Sequence, residues 1–144
     1  MPQMIFVNLP VTDLSKSKAF YEAVGAVNNP AFTDETAACM VVTEGSIHVM
    51  LLTHEKWATF TSKTIPDART TAQVMLCVSA DSREDVDEFA DKALATGGSP
   101  AKEPMDMGFM YGRSFRDPDG HHWEIVWMDP AALEQSPAEA GATA

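Results

Sequence analysis

Glu124 is the residue whose surroundings most invite chemistry. It sits inside the apolar run Trp123–Met128, four residues beyond Gly120, in the stretch Phe115-Arg116-Asp117-Pro118-Asp119-Gly120-His121-His122-Trp123-Glu124. A buried carboxylate must be paired or coordinated. Three roles fit it. It can be a metal ligand. It can be a lone pocket carboxylate, raised in pKa by desolvation, that acts as a general base or clamps a cationic group. It can also be a strand residue, held by Gln73 or another donor, that only stabilises the fold.

The other polar candidates are weighed against their positions. Residues i and i+2 of a strand point the same way, so His122 can share a face with Glu124 and supply an alternative metal pair. A solvated position beside the turn is its plainer reading. His48 alternates with Val49 and Leu51 and is expected to point away from the pocket, with His54 near the rim. Arg113 either clamps an anion or covers Trp123 or Trp127 with its stem. Tyr111 and Met110 lie on the strand facing Glu124, and register decides which of them lines the pocket. Met105, Met107 and Met110 form either an adaptable lid or ordinary loop packing. Cys39 and Cys77 lie in apolar strand-like runs, in neither a CxxC nor a metal-knuckle spacing, and read as buried free thiols. The sequence contains no phosphate-binding glycine loop, HExxH or Ser-His-Asp signature.

The elements that position these residues follow from periodicity. Met4–Val11 reads as a strand, and Asp13 or Ser15 caps a helix that Gly25 ends. Asn28–Phe32 reads as a short edge strand broken by Pro30. Thr36–Thr43 and Ser46–Thr53 are strands joined at Glu44-Gly45, and His54–Phe60 is a short amphipathic helix. Thr61–Thr70 is a linker. The pattern then restarts. Gln73–Ser79 is a strand, Arg83–Thr96 a helix closed by Gly97-Gly98, and Ser99–Lys102 a short strand. Phe109–Phe115 and His122–Met128 are strands joined by Asp-Pro-Asp-Gly, where Pro118 presets φ and Gly120 accepts positive φ. Pro130–Ala144 reads as a frayed tail.

Two segments match each other: VNLPVTDLSKSKAFYEAVGA and VMLCVSADSREDVDEFADKALATGG share strand, polar cap, helix with Phe, and glycine stop, with Val7 answering Val74. The predicted fold is α+β: two β-α-β-β-β modules forming a cupped mixed β-sheet with flanking helices. Residues 1–130 form one domain, with modules at about 3–62 and 71–129 and a flexible tail at 131–144. Ligands favour the cleft between such halves.

Paired modules of this kind, ending in Asp-Pro-Asp-Gly-x-x-x-Glu, resemble the vicinal oxygen chelate superfamily of glyoxalases, extradiol dioxygenases, fosfomycin-resistance enzymes and bleomycin-binding proteins. The resemblance is carried by VNLPVTDLSKSKAFYEAVG and FRDPDGHHWEIVWM and spans about residues 4–129. It implies inward-facing metal ligands from the first and fourth strands of each half. Carried over, the last position is Glu124, and the opening strand of the second half offers Gln73. The first half offers Phe6 and Leu51, or Met50 after a one-residue slip, none of which suits a hard or borderline divalent ion. The implied ligand set for Zn, Ni, Mn or Fe is incomplete, because a catalytic site needs three protein ligands and an open position. Phe6, Leu51, Gln73, Met75, Met110 and Tyr111 are expected to line the substrate pocket, with Glu124 as the catalytic group.

Two functions follow. One is a lyase or isomerase acting on a small oxygenated molecule, with Glu124 as base or remaining ligand and Gln73 orienting. The other is a metal-free, bleomycin-resistance-like binder that sequesters its ligand, and a homodimer is implied for both. A net charge of −11 argues against nucleic acid, which needs a basic footprint. No apolar run approaches the roughly 20 residues of a membrane-spanning helix, and no signal pattern is present, so a cytoplasmic protein is the expectation.

Overall fold

The computed structural model describes residues 3–134. Its first module runs β1 (Ile5–Val11), α1 (Leu14–Ala23), β2 (Val27–Asn29), a 3-10 turn at Pro30–Phe32, β3 (Ala37–Thr43), β4 (Ile47–Thr53) and α2 (His54–Trp57). The second runs β5 (Met75–Ser79), α3 (Arg83–Ala95), β6 (Ser99–Pro100), β7 (Met105–Asp106), β8 (Met110–Arg116), β9 (His122–Met128) and a helical turn α4 (Pro130–Leu133). The strands make two mixed sheets, ordered β1-β4-β3-β2 and β5-β9-β8-β6, with β7 also on β8. In each module the first strand runs parallel to the last, β1 on β4 and β5 on β9. That crossover needs an intervening helix, which α1 and α3 supply.

Local chemistry sets the boundaries. The Asp13 carboxylate accepts from the Lys16 backbone N–H, and the Ser82 hydroxyl does the same for Asp85, so each long helix begins at a side-chain cap. Three boundaries differ from the sequence reading. β5 begins at Met75 and leaves Gln73 outside it. Met105–Asp106, read as loop, pairs with β8. The tail's first turn is the α4 helix, capped by Asp129; residues 135–144 of the tail lie outside the described residues.

One core serves both modules. Leu9, Val11, Met40, Val49 and Leu51 from the first sheet pack with Phe20 of α1, and Phe115, Trp123 and Ile125 from the second pack with Val86 and Ala90 of α3. The Phe20 and Phe115 rings lie 6.1 Å apart, so the two halves meet at their aromatic side chains.

Polar contacts pin the same junction, through the β8–β9 turn. The Tyr21 hydroxyl donates to Asp117 Oδ2 at 2.6 Å and accepts from Trp123 Nε1 at 3.0 Å. Asp119 Oδ1 accepts from the Thr12 backbone N–H and hydroxyl, both at 2.9 Å, and its Oδ2 accepts from Ser17 at 3.3 Å. The aspartates that suit the turn therefore also staple the second module to the start of α1. Gly120 has φ +101°, and a Cβ there would stand 2.7 Å from the Ala68 carbonyl oxygen. Only glycine lets the linker lie against this turn.

Candidate functional site

Alternation gives each sheet two faces. α1 and α3 cover one, and the other carries Phe6, Met110, His122 and Glu124. On β9, Trp123 and Ile125 enter the core, which turns His122 and Glu124 to the face away from α3. Glu124 Oε2 lies 2.9 Å from His122 Nε2 and 3.5 Å from Lys102 Nζ. The hydrogen bond with His122 is the main reason its carboxyl lies below the ordinary value of 4.5, and the Lys102 charge adds to this, against a smaller opposing effect of burial. The desolvated, raised carboxylate, one of the three roles open to Glu124 in the sequence, is not what forms. Glu124 is a partly exposed carboxylate held between the His122 ring and the Lys102 ammonium, and the pairing of His122 with it is direct.

Cys77 is the register partner of Glu124, and Met75 that of His122. Cys77 is exposed rather than buried as expected. Desolvation and then the Glu124 charge push its thiol up, which makes it a poor nucleophile. Met110 lies on the Glu124 face, opposite Met128 at the far end of the sheet.

Two expected pocket residues face the other way. Leu51 is fully buried against the core, because β4 pairs with β1 so that Leu51 stands beside Leu9. Tyr111 points to α3, where its hydroxyl donates to Asp87 at 2.7 Å. Arg113, on the same face, reaches Asp87 at 3.1 Å and Asp91 at 2.8 Å, so it binds a helix and not a ligand. The register also corrects His48. It stands beside Phe6, on the Phe6 side of the sheet, and the two rings stack at 4.6 Å. Met50 shares that face, half-buried, and Phe6 is half-exposed.

A cavity of about 490 Å³ lies where β1 and the residues before β5 come together. Val7–Pro10 form one wall, and Trp57, Pro66, Ala68 and residues 71–74 of the linker form another. Leu76, Gly120, His121 and His122 complete it. Its lining is mostly apolar. Its volume falls within the roughly 300–1,000 Å³ range of small-molecule sites. Glu124 is not part of this wall and is joined to it by its hydrogen bond with His122. Gln73 lines it and makes no hydrogen bond to Glu124, and His121 closes it by a 2.8 Å hydrogen bond between Nε2 and the Pro10 carbonyl. A smaller cleft beyond the linker, about 190 Å³, is lined by Thr12, His54, Asp67, Arg69 and Asp119 among others.

A family model described as Glyoxalase/Bleomycin resistance protein/Dioxygenase superfamily matches residues 3–125. The chain belongs to this superfamily. Among solved structures it is similar to a hypothetical protein from S. aureus, with 28% identity and a TM-score of 0.73 over 88% of this chain and 94% of that one. It is also similar to a lactoylglutathione lyase from Agrobacterium tumefaciens (20% identity, TM-score 0.60, 86% and 92% covered). A genomically encoded fosfomycin resistance protein from Listeria monocytogenes gives 17% identity and a TM-score of 0.63, with 96% and 98% covered. The last two show the fold alone. No curated protein matches the chain. Among the described residues no helix is long and apolar enough to cross a membrane.

The metal that the superfamily implies does not fit this donor set. Phe6, Met50 and Met75 occupy the faces where donors are needed, and Glu124 is already engaged by His122 and Lys102. Among the described residues no three His, Cys, Asp or Glu side chains come together as a ligand group. Sequence reasoning missed Asn8, Trp57, Lys102 and the linker as parts of the site. Val7 answering Val74 was the one available signal, since it places the two module openings side by side.

Proposed function

We propose that this member of the superfamily binds a small molecule in the cavity between its two modules without a divalent metal. The observation that carries this reading is the mostly apolar space of about 490 Å³ bounded by Val7–Pro10, Trp57, residues 71–74 and His122. The unsuited side chains at Phe6, Met50 and Met75 support the metal-independent part, as does the engagement of Glu124 by His122 and Lys102. A homodimer belongs to the proposal. Phe6 at 50% and Met75 at 70% exposure leave apolar surface that a second copy would cover.

Metal analysis and thermal denaturation with and without Zn²⁺, Ni²⁺, Mn²⁺ and Fe²⁺ test it. Purified protein is expected to hold far less than one equivalent and to melt at an unchanged temperature. Stoichiometric metal that Glu124→Ala removes would sink the metal-free reading. A second reading, a lyase or isomerase acting by proton transfer, is favoured by the 2.9 Å His122–Glu124 pair. Glu124 then orients the His122 ring, which lines the cavity and carries the proton. Turnover abolished by His122→Ala and weakened by Glu124→Gln would select this reading over a sequestering binder.

A further inference from the structure

The cavity's polar chemistry narrows its ligand. None of the described residues lining it is Asp, Glu, Lys or Arg. The side chains there with a polar atom are Asn8, Trp57, Thr71, Gln73, His121 and His122, and three of them are already engaged. Thr71 donates to the Asp67 carbonyl at 2.7 Å, His121 pairs with the Pro10 carbonyl, and His122 pairs with Glu124. The two carboxamides and the Trp57 indole N–H remain, and of these only a carboxamide can both donate and accept. Gln73 has no hydrogen-bond partner among the described residues, and Asn8 has only a 3.4 Å contact from its Nδ2 to the Phe6 carbonyl. One comes from β1 and the other from the residues just before β5, so each module contributes one.

We infer that the cavity selects an uncharged, largely apolar ligand bearing a carbonyl or hydroxyl group, and that the Asn8 and Gln73 carboxamides hydrogen-bond that group. This rests on the cavity being the ligand site. A carboxamide offers both a donor and an acceptor without charge, which matches a neutral polar group. An ionic ligand seated among Val7, Leu9, Trp57, Val74 and Leu76 would lose water and meet no counter-charge. The nearest ions point elsewhere. Glu124 is held by His122 and Lys102, Asp119 by Thr12 and Ser17, and Arg69 reaches the Pro118 carbonyl and Asp67 from the neighbouring cleft.

The experiment uses the fluorescent neutral probe phenyl-α-naphthylamine on the full chain. Three competitors of one shape and different charge displace it: α-naphthylmethanol, α-naphthoate and α-naphthylmethylammonium. Salt at about 0.5 M screens the field of an acidic protein, so that the net charge does not itself sort the ions. Ala72→Phe, an exposed linker position on the cavity wall, fills the space without touching the core, and circular dichroism confirms its fold. The alcohol is expected to displace the probe at least about tenfold more effectively than either ion, and the probe signal should fall in Ala72→Phe. Asn8→Ala and Gln73→Ala should each weaken the alcohol by about 2–10-fold, the range of one neutral hydrogen bond.

Competition by an ion equal to that of the alcohol, still blocked by Ala72→Phe, would overturn the neutral-ligand inference and leave the cavity as the site. A probe signal that Ala72→Phe does not change would overturn the cavity itself. No loss in either carboxamide variant would overturn their role in recognition.

Discussion

Replacing Tyr21 by Phe removes one oxygen that serves two buried partners. Tyr21, Asp117 and Trp123 are 3%, 2% and 5% exposed, so water does not replace the lost contacts. Asp117 would keep its Oδ1 bonds from the Asp119 and His121 backbone N–H groups, but its Oδ2 would lose the 2.6 Å Tyr21 donor. A hydrogen bond to a charged group contributes about 1.5–3 kcal/mol, and an orphaned indole N–H adds about 1 kcal/mol, so the expected loss is about 3 kcal/mol near neutral pH. The pH dependence is more diagnostic. Burial is the chief cause that raises the Asp117 carboxyl above its ordinary 3.8, while Tyr21 is among the donors that hold it down. A carboxyl raised in the folded state binds protons there that the unfolded state has released, so stability falls as pH rises through the window above 3.8 and then levels. Tyr21→Phe pushes that carboxyl higher. Its penalty is therefore largest near neutral pH and shrinks as pH drops through the Asp117 transition. Urea unfolding of wild type, Tyr21→Phe, Asp117→Asn and the double variant measures this, with the pH dependence absent when Asn replaces Asp117. A Tyr21→Phe penalty below about 1 kcal/mol, or one constant with pH, would refute the network's role in holding the modules together.

Glu124 should titrate below 4.5 in a carboxyl NMR experiment, and His122→Ala should move it back up, because the His122 hydrogen bond is the leading cause of the shift. Its contribution to stability is present above 4.5 and lost as pH falls through the lowered folded value; a transition above 4.5 would contradict the pairing. Gly120→Ala should destabilise more than Gly45→Ala. Both have positive φ, worth about 1–2 kcal/mol, but only at Gly120 does the new Cβ meet backbone, at 2.7 Å from Ala68. Equal melting temperatures for the two would show that the linker yields freely at that contact.

The sequence by itself determined the repeat, and with it the fold. Strand alternation, the Asp13 and Ser82 caps, the glycine stops and the Asp-Pro-Asp-Gly turn are local signals, and local backbone preferences suffice to read them. The parity of His122 with Glu124 was legible for the same reason, since both lie on one strand. Tertiary structure decided which residues of different strands share a face. The family resemblance makes Phe6 and Leu51 neighbours in the pocket, yet the β1–β4 register sets Phe6 beside His48 and Leu51 beside Leu9, on opposite faces. Alternation fixes faces within a strand, and only the pairing between strands fixes them across a sheet. The turn shows the same division. Pro118 and Gly120 announce a turn from their own φ preferences, but the partners of Asp117 and Asp119 are Tyr21, Thr12 and Ser17, about a hundred residues earlier in the chain. Likewise no local pattern joins Asn8 to Gln73. They line one cavity because packing around Phe20 and Phe115 draws the two module openings together.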